Sequence, residues 1–308
     1  MMRPRTKLTT PSVQRTIVFS LWLALVFGLF AGRAGASDAS LSTLASFQDT
    51  DHFEIDSAIL GRKLGIFVRK PDGYDDADGP YPTVYAIDGD ILFPILAPYH
   101  YLLTFDTDIP EAIVVGLAYG TFSPEEGNLR SYDYSWPPFG PEFGLTGAKD
   151  DSGGAAAFHR FFTEELIPMI EKQYKSDASR RILIGQSRGA HFALYSAYQH
   201  PNAFWGRIAS NPSLKPNKEN FFQDLSGAEP SGSSLYFSSG ENDWPRLRDE
   251  ALSLFDHLNS QASLPWRLKT VTVPGGTHAA NLVDVYRDGI KWLFNQEEIK
   301  TVEGEAQH

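Results

Sequence analysis

The chain has 308 residues, 42% of them hydrophobic, enough to bury one large core at a length where a single domain is the default expectation. It carries 27 Lys and Arg against 38 Asp and Glu, a net charge of −11, which argues against nucleic acid or an anionic membrane as partner because both need a basic surface. The absence of cysteine excludes disulfides, thiolate metal sites, a cysteine nucleophile and a lipid-modified cysteine anchor.

Residues 1–36 have the order of parts of an export signal. Arg3, Arg5, Lys7 and Arg15 form a positive leader, residues 17–30 are apolar, and Ala34-Gly35-Ala36 supplies small residues for cleavage before Ser37. The rival reading is an uncleaved anchor, but the apolar run is shorter than the roughly 20 residues a spanning helix needs. Cleavage would leave 22 basic residues against 38 acidic ones, a net charge of −16, and a periplasmic or secreted protein with no stable membrane association.

Beyond Ser37, strand-length hydrophobic runs alternate with longer segments of helical period, the pattern of parallel strands joined by crossover helices. Strands are predicted at 63–68, 83–87, 112–116, 181–184, 206–210, 234–238 and 268–273, and helices at 155–174, 188–199, 245–259 and 280–294. Several strands are continuously apolar, as in a sheet covered on both faces. The expected fold class is therefore α/β, one domain over 37–308 with a mainly parallel central sheet between helices. Residues 120–154 and 211–233 depart from this rhythm, being rich in Gly, Pro, Ser and aromatics, and read as long loops. Tyr132, Tyr134, Trp136 and Phe139 give the first one enough apolar surface to border a substrate cleft or to pack on itself.

The strand at 181–184 runs through Gly185-Gln186-Ser187-Arg188-Gly189 directly into the helix at 188–199. That is G-x-S-x-G in the setting of a nucleophile elbow, where a serine on a strained strand-to-helix turn exposes its hydroxyl. It also puts the amide of Arg188 at a helix N-terminus, where it can donate to an oxyanion. A serine hydroxyl needs an imidazole to accept its proton and a carboxylate to orient that imidazole. Both are expected downstream, at the C-terminal ends of later strands. The strand at 234–238 ends in Gly240-Glu241-Asn242-Asp243, and the strand at 268–273 ends in Pro274-Gly275-Gly276-Thr277-His278.

His278 is the one histidine of eight in a Gly-rich loop between a late strand and a final helix, and is the expected base. Asp243 is the expected acid, because it lies far enough from its strand to curl toward a neighbouring loop; Glu241 is the alternative, with the other carboxylate stabilising the loop. The second oxyanion amide is expected at Asp90, where Asp88-Gly89 lets the backbone turn toward the serine; an ordinary Asp-Gly turn is the plain alternative. No H-E-x-x-H pair or carboxylate cluster at metal spacing occurs, so neither a catalytic metal nor a cofactor is expected.

These residues resemble the esterase family of α/β-hydrolases that includes the enterochelin and salmochelin esterases, esterase D and the mycolyltransferases of the antigen 85 type. The resemblance spans about residues 53–294. It rests on Tyr85-Ala86-Ile87-Asp88-Gly89, Ile113-Val114-Val115-Gly116-Leu117, Arg130 with Asp133-Tyr134, the G-x-S-x-G turn, Asn211-Pro212-Ser213-Leu214, and the loops bearing Asp243 and His278. It implies the same nucleophile, base, acid and oxyanion amides. It also puts Arg130 and Tyr134, with Gln186 beside the serine, at the substrate, although Arg130 could instead pair with an acid.

A small-molecule ester, of siderophore type in the branch most alike, is the implied substrate; Gln186, Arg188 and Ala190 depart from that branch's usual residues. An acyltransferase would use the same triad and differ only in its acceptor. A non-catalytic binding protein of this fold would normally have lost a triad member, whereas all three residue types are present.

Overall fold

The computed structural model describes residues 44–75, 79–137 and 154–305, with the side chains of residues 106 and 296–305 excepted. The export-signal reading of residues 1–36 and the loop aromatic Phe139 lie outside the described residues. Eight strands form one sheet in the order β1-β2-β4-β3-β5-β6-β7-β8. These are β1 (Thr50–Ser57), β2 (Arg62–Arg69), β3 (Tyr81–Ala86), β4 (Ile113–Ala118), β5 (Ser176–Gln186), β6 (Gly206–Ser210), β7 (Ser234–Gly240) and β8 (Arg267–Val273). The pairs β1–β2 and β2–β4 are antiparallel. Every pair from β4–β3 through to β7–β8 is parallel.

The helices are α1 (Gly89–Asp106), α2 (Arg130–Asp133), α3 (Ala155–Arg160), α4 (Ile167–Gln173), α5 (Arg188–Gln199), α6 (Pro245–Ser260) and α7 (Leu282–Glu305). A π-helical turn, Phe161–Leu166, joins α3 to α4, so the helix predicted over 155–174 is one continuous rod with a wider turn at its centre. Successive side chains of a strand point to opposite faces, and the two cores divide on that rule. Val84, Ala86, Ile182, Ile184 and Ile208 pack under Leu92 and Leu96 of α1 and Val285, Tyr286 and Ile290 of α7. Tyr85, Val115 and Leu183 pack against Phe158, Phe162, Phe192 and Leu254 on the other face. The expected α/β-hydrolase architecture, a mainly parallel sheet with helices on both faces, is the one observed.

The sequence pattern does not predict β1, α1 or the single-turn α2, which lies within the stretch 120–154 read as a loop. β1 is an edge strand in which Asp51, Glu54 and Asp56 interrupt the apolar run, so it lacks the signature of a buried parallel strand. α1 contains Pro94 and Pro98, residues that ordinarily end a helix; its burial against β4 and α7 overrides that preference.

Candidate active site

Ser187 sits between the last residue of β5 and the first of α5 with φ 58° and ψ −113°, a left-handed conformation that is strained for any residue but glycine. The chain can turn so sharply because Gly185 has no side chain: a Cβ there would lie 2.2 Å from the carbonyl oxygen of Gly189. The turn is held from three sides. The Ser187 amide donates to the Ser210 carbonyl at 2.9 Å, and its own carbonyl accepts from the amides of His191 and Ser213.

Asp243 and His278 follow β7 and β8, and both side chains return toward β5. Ser187 Oγ lies 2.9 Å from His278 Nε2, and His278 Nδ1 lies 2.8 Å from Asp243 Oδ1. Asp243 is buried, and the same Oδ1 accepts the Trp244 amide at 2.6 Å. Glu241 points elsewhere: its Oε2 accepts the Gly275 amide at 2.8 Å and so ties its own loop to the β8 loop. The exposed indole of Trp244 lies flat against the outer face of the His278 ring.

Ser187 and His278 open onto a cavity of about 480 Å³, within the range of small-molecule sites. Its lining combines apolar side chains, Ile91 and Ile95 of α1 with Phe122 and Leu282, and polar ones, Asp88, Asn128 and Arg130. Asp90 also lines the cavity. Its carboxylate accepts the amides of Tyr119 and Gly120 at 2.7 and 3.0 Å. Its own amide belongs to the first turn of α1, where backbone N–H groups have no acceptor within the helix. The amide of Arg188, the first residue of α5, likewise belongs to a first helical turn.

Arg130 reaches the cavity but is engaged: it donates through Nε and Nη2 to both oxygens of Asp88 at 2.5 and 2.6 Å. Burial opposes its charge, and the Asp88 carboxylate outweighs that and holds its pKa above the usual arginine range. The guanidinium of Arg188 donates to the Lys215 carbonyl; burial, then the charges of Arg130 and Arg246, push its pKa down to about 10. Gln186 lines the cavity and its side-chain amide donates to the backbone carbonyl of His278.

Tyr134 is not brought to the cavity. It is fully buried among Phe158, Phe192 and Tyr119, its hydroxyl accepts the Asp88 amide at 3.2 Å, and its ring lies under the Arg130 guanidinium. The expected substrate contact is thus a prop beneath the Arg130–Asp88 pair, because the aromatic face finds a full set of core partners. Sequence reasoning does not reach Trp244, whose only signal is its place next to Asp243, or the cavity-lining residues of α1, a helix the sequence pattern does not predict.

Comparison with known proteins bears on this geometry. The chain is 28% identical over 218 residues to ferri-bacillibactin esterase of Bacillus subtilis, covering 64% of this chain and 73% of that one. It is 26% identical to apo-salmochelin esterase of Escherichia coli O6:H1, where the match spans 57% of this chain and about half, 54%, of the relative. The crystal structure of the BES protein from Bacillus cereus superposes with a TM-score of 0.67 at 26% identity, over 80% of this chain and 94% of that one. The family model described as "Putative esterase" matches residues 57–292, and the chain belongs to that family.

Proposed function

We propose that this protein is an exported serine esterase that cleaves a carboxylic ester of siderophore type through an acyl-enzyme. The observation that carries the reading is the hydrogen-bonded row from Ser187 Oγ through the His278 imidazole to Asp243 Oδ1, facing a cavity of about 480 Å³. In the proposed cycle His278 Nε2 takes the Ser187 proton as Oγ attacks the ester carbonyl carbon. The amides of Arg188 and Asp90 receive the oxyanion, and the proton passes to the departing alcohol. Water then attacks the acyl carbon as His278 takes its proton; the new C–O bond forms, the acyl–Oγ bond breaks, and the carboxylic acid leaves as Oγ regains the proton from His278. Asp243 holds Nδ1 protonated and supports the imidazolium that forms twice per turnover.

The substrate class is supported by the esters named in the relatives, ferri-bacillibactin and apo-salmochelin. Export is supported by the basic, apolar and small-residue segments of residues 1–36, and N-terminal sequencing of an exported product beginning near Ser37 would support it further. The catalytic test is a fluorophosphonate that labels one site per chain. Ser187→Ala should lose both labelling and turnover of siderophore lactones and model esters while keeping its melting temperature. Labelling that survives in Ser187→Ala would refute the assignment.

A further inference from the structure

His278 follows β8, whereas Ser187 follows β5, three strands away in the sheet. At about 4.8 Å per strand the base must cover roughly 14 Å, farther than an imidazole side chain reaches. The backbone of the β8 loop therefore has to lean back across β7 and β6, and it needs an anchor there.

Asn211, the residue after β6, stands at that crossing. It is fully buried and held at φ 47°. Its Nδ2 lies 2.7 Å from the His278 carbonyl, 2.9 Å from the Thr277 carbonyl and 2.8 Å from Asn281 Oδ1. Its Oδ1 accepts the Gly240 amide at 2.7 Å, at the root of the loop that carries Asp243. Gln186, at the end of β5, donates its side-chain amide to the same His278 carbonyl. The loop lies directly on β7 beneath it: a Cβ on Gly240 would come within 2.5 Å of the Gly276 carbonyl oxygen. Two amide side chains from neighbouring strand ends thus converge on one carbonyl, that of the base.

We propose that Gln186 and Asn211 are positioning residues, an amide clamp that fixes the His278 backbone so that the imidazole meets Ser187 and Asp243 together. The proposal rests on the triad reading above. It assigns Gln186 to the base and not to the substrate, and gives Asn211 a role in rate without contact to the reacting atoms. A displacement of the imidazole by about 1 Å is enough to cost on the order of a hundredfold in rate.

The test uses the mature enzyme carrying Asn211→Gly, which deletes the amide while keeping a residue at ease at positive φ, together with Gln186→Ala and the double variant. Melting temperature, kcat, KM and the fluorophosphonate labelling rate are read for each. Asn211→Gly is expected to fold and to lose about 10- to 100-fold in kcat and labelling rate in parallel, with KM within about twofold of the parent. Gln186→Ala should lose less, again in kcat, and the double variant little more than Asn211→Gly, because both amides hold one carbonyl.

A folded Asn211→Gly with kcat within about twofold of the parent overturns the clamp, as do losses that simply multiply in the double variant. If Asn211→Gly fails to fold, Gln186→Ala decides: reduced kcat at constant KM supports the clamp, and unchanged kcat, or a raised KM alone, overturns it. Turnover surviving in Ser187→Ala would instead be a failure of the triad reading itself, so the two failures are separable.

Discussion

The indole of Trp244 is stacked on the imidazole of His278, with 4.3 Å between ring centroids and 13° between planes. One face of the proposed base is thereby covered by an aromatic ring whose π cloud favours the imidazolium formed during attack. For a partly solvated site this is worth about 0.5–1 kcal/mol, or roughly two- to fivefold in rate. Trp244→Ala should lower kcat by that factor, and Trp244→Phe should retain most of it. Steady-state kinetics of both variants check the point, and a Trp244→Ala enzyme with undiminished kcat would remove Trp244 from the machinery.

The placement of the proposed triad is legible in the sequence where it depends on local order. Strand, G-x-S-x-G and helix are contiguous, so Ser187 could be read from adjacency alone, and the strand-end positions of Asp243 and His278 followed from the order of the sheet. What escaped depends on contacts between distant segments. Asn211 gains its meaning from the approach of Gly240 and His278, which no spacing encodes. The sequence does not place Tyr134, because an aromatic ring in a Gly- and Pro-rich loop can turn outward or inward; here the core claims it. Glu241 and Asp243 differ by two positions, and only the fold shows that one carboxylate meets an amide and the other the imidazole.

Arg130 and Asp88, both lining the cavity, form a bidentate pair. Asp88 is 8% exposed, so removing its partner leaves a carboxylate without compensation, a change that costs about 1–3 kcal/mol; the Arg130 side chain is 32% exposed, and solvent keeps the loss toward the lower end. Arg130→Met should destabilise the enzyme by that amount in urea denaturation. Adding Asp88→Asn should recover part of the loss, because the charge left behind is then gone. A double variant less stable than Arg130→Met alone would contradict the pairing.

Among the described residues three histidine rings, His100, His159 and His191, are buried, and burial disfavours their charged form. Burial pushes the pKa of His100 down to about 4, and burial again, aided by neighbouring positive groups, pushes His159 and His191 to about 3. The His191 ring also accepts the Trp136 amide at Nε2, which a protonated ring could not do. In the unfolded chain each takes up a proton near the ordinary value of 6.5. As pH falls below about 6.5 the unfolded state therefore binds more protons than the native state, and stability declines. Above that value these groups contribute no slope. Urea denaturation at pH 7, 6 and 5 should show falling stability, and His100→Phe, if it folds, should reduce the slope by up to one proton, about 1.4 kcal/mol per pH unit. A parent enzyme equally stable at pH 5 and 7 would contradict the neutral burial of these rings.

The choice of acid gives the sharpest kinetic expectation. Asp243 is buried, lies 2.8 Å from His278 Nδ1, and its Oδ1 is also fixed by the Trp244 amide. Replacing it by Asn presents the ring with an amide that can donate to Nδ1 and so favours the wrong tautomer, with Nε2 protonated and unable to accept from Ser187. The corresponding change in serine proteases costs about four orders of magnitude in kcat. Glu241 is exposed and serves the backbone of the Gly275 turn, so Glu241→Gln keeps an acceptor for that amide and leaves the imidazole untouched. Asp243→Asn should therefore lower kcat by several orders of magnitude and Glu241→Gln by no more than about threefold, with KM little changed in either, since neither carboxylate lines the cavity. Measuring kcat and KM for the pair decides the matter: the reverse ranking would make Glu241 the acid and require a β7 loop conformation different from the one observed.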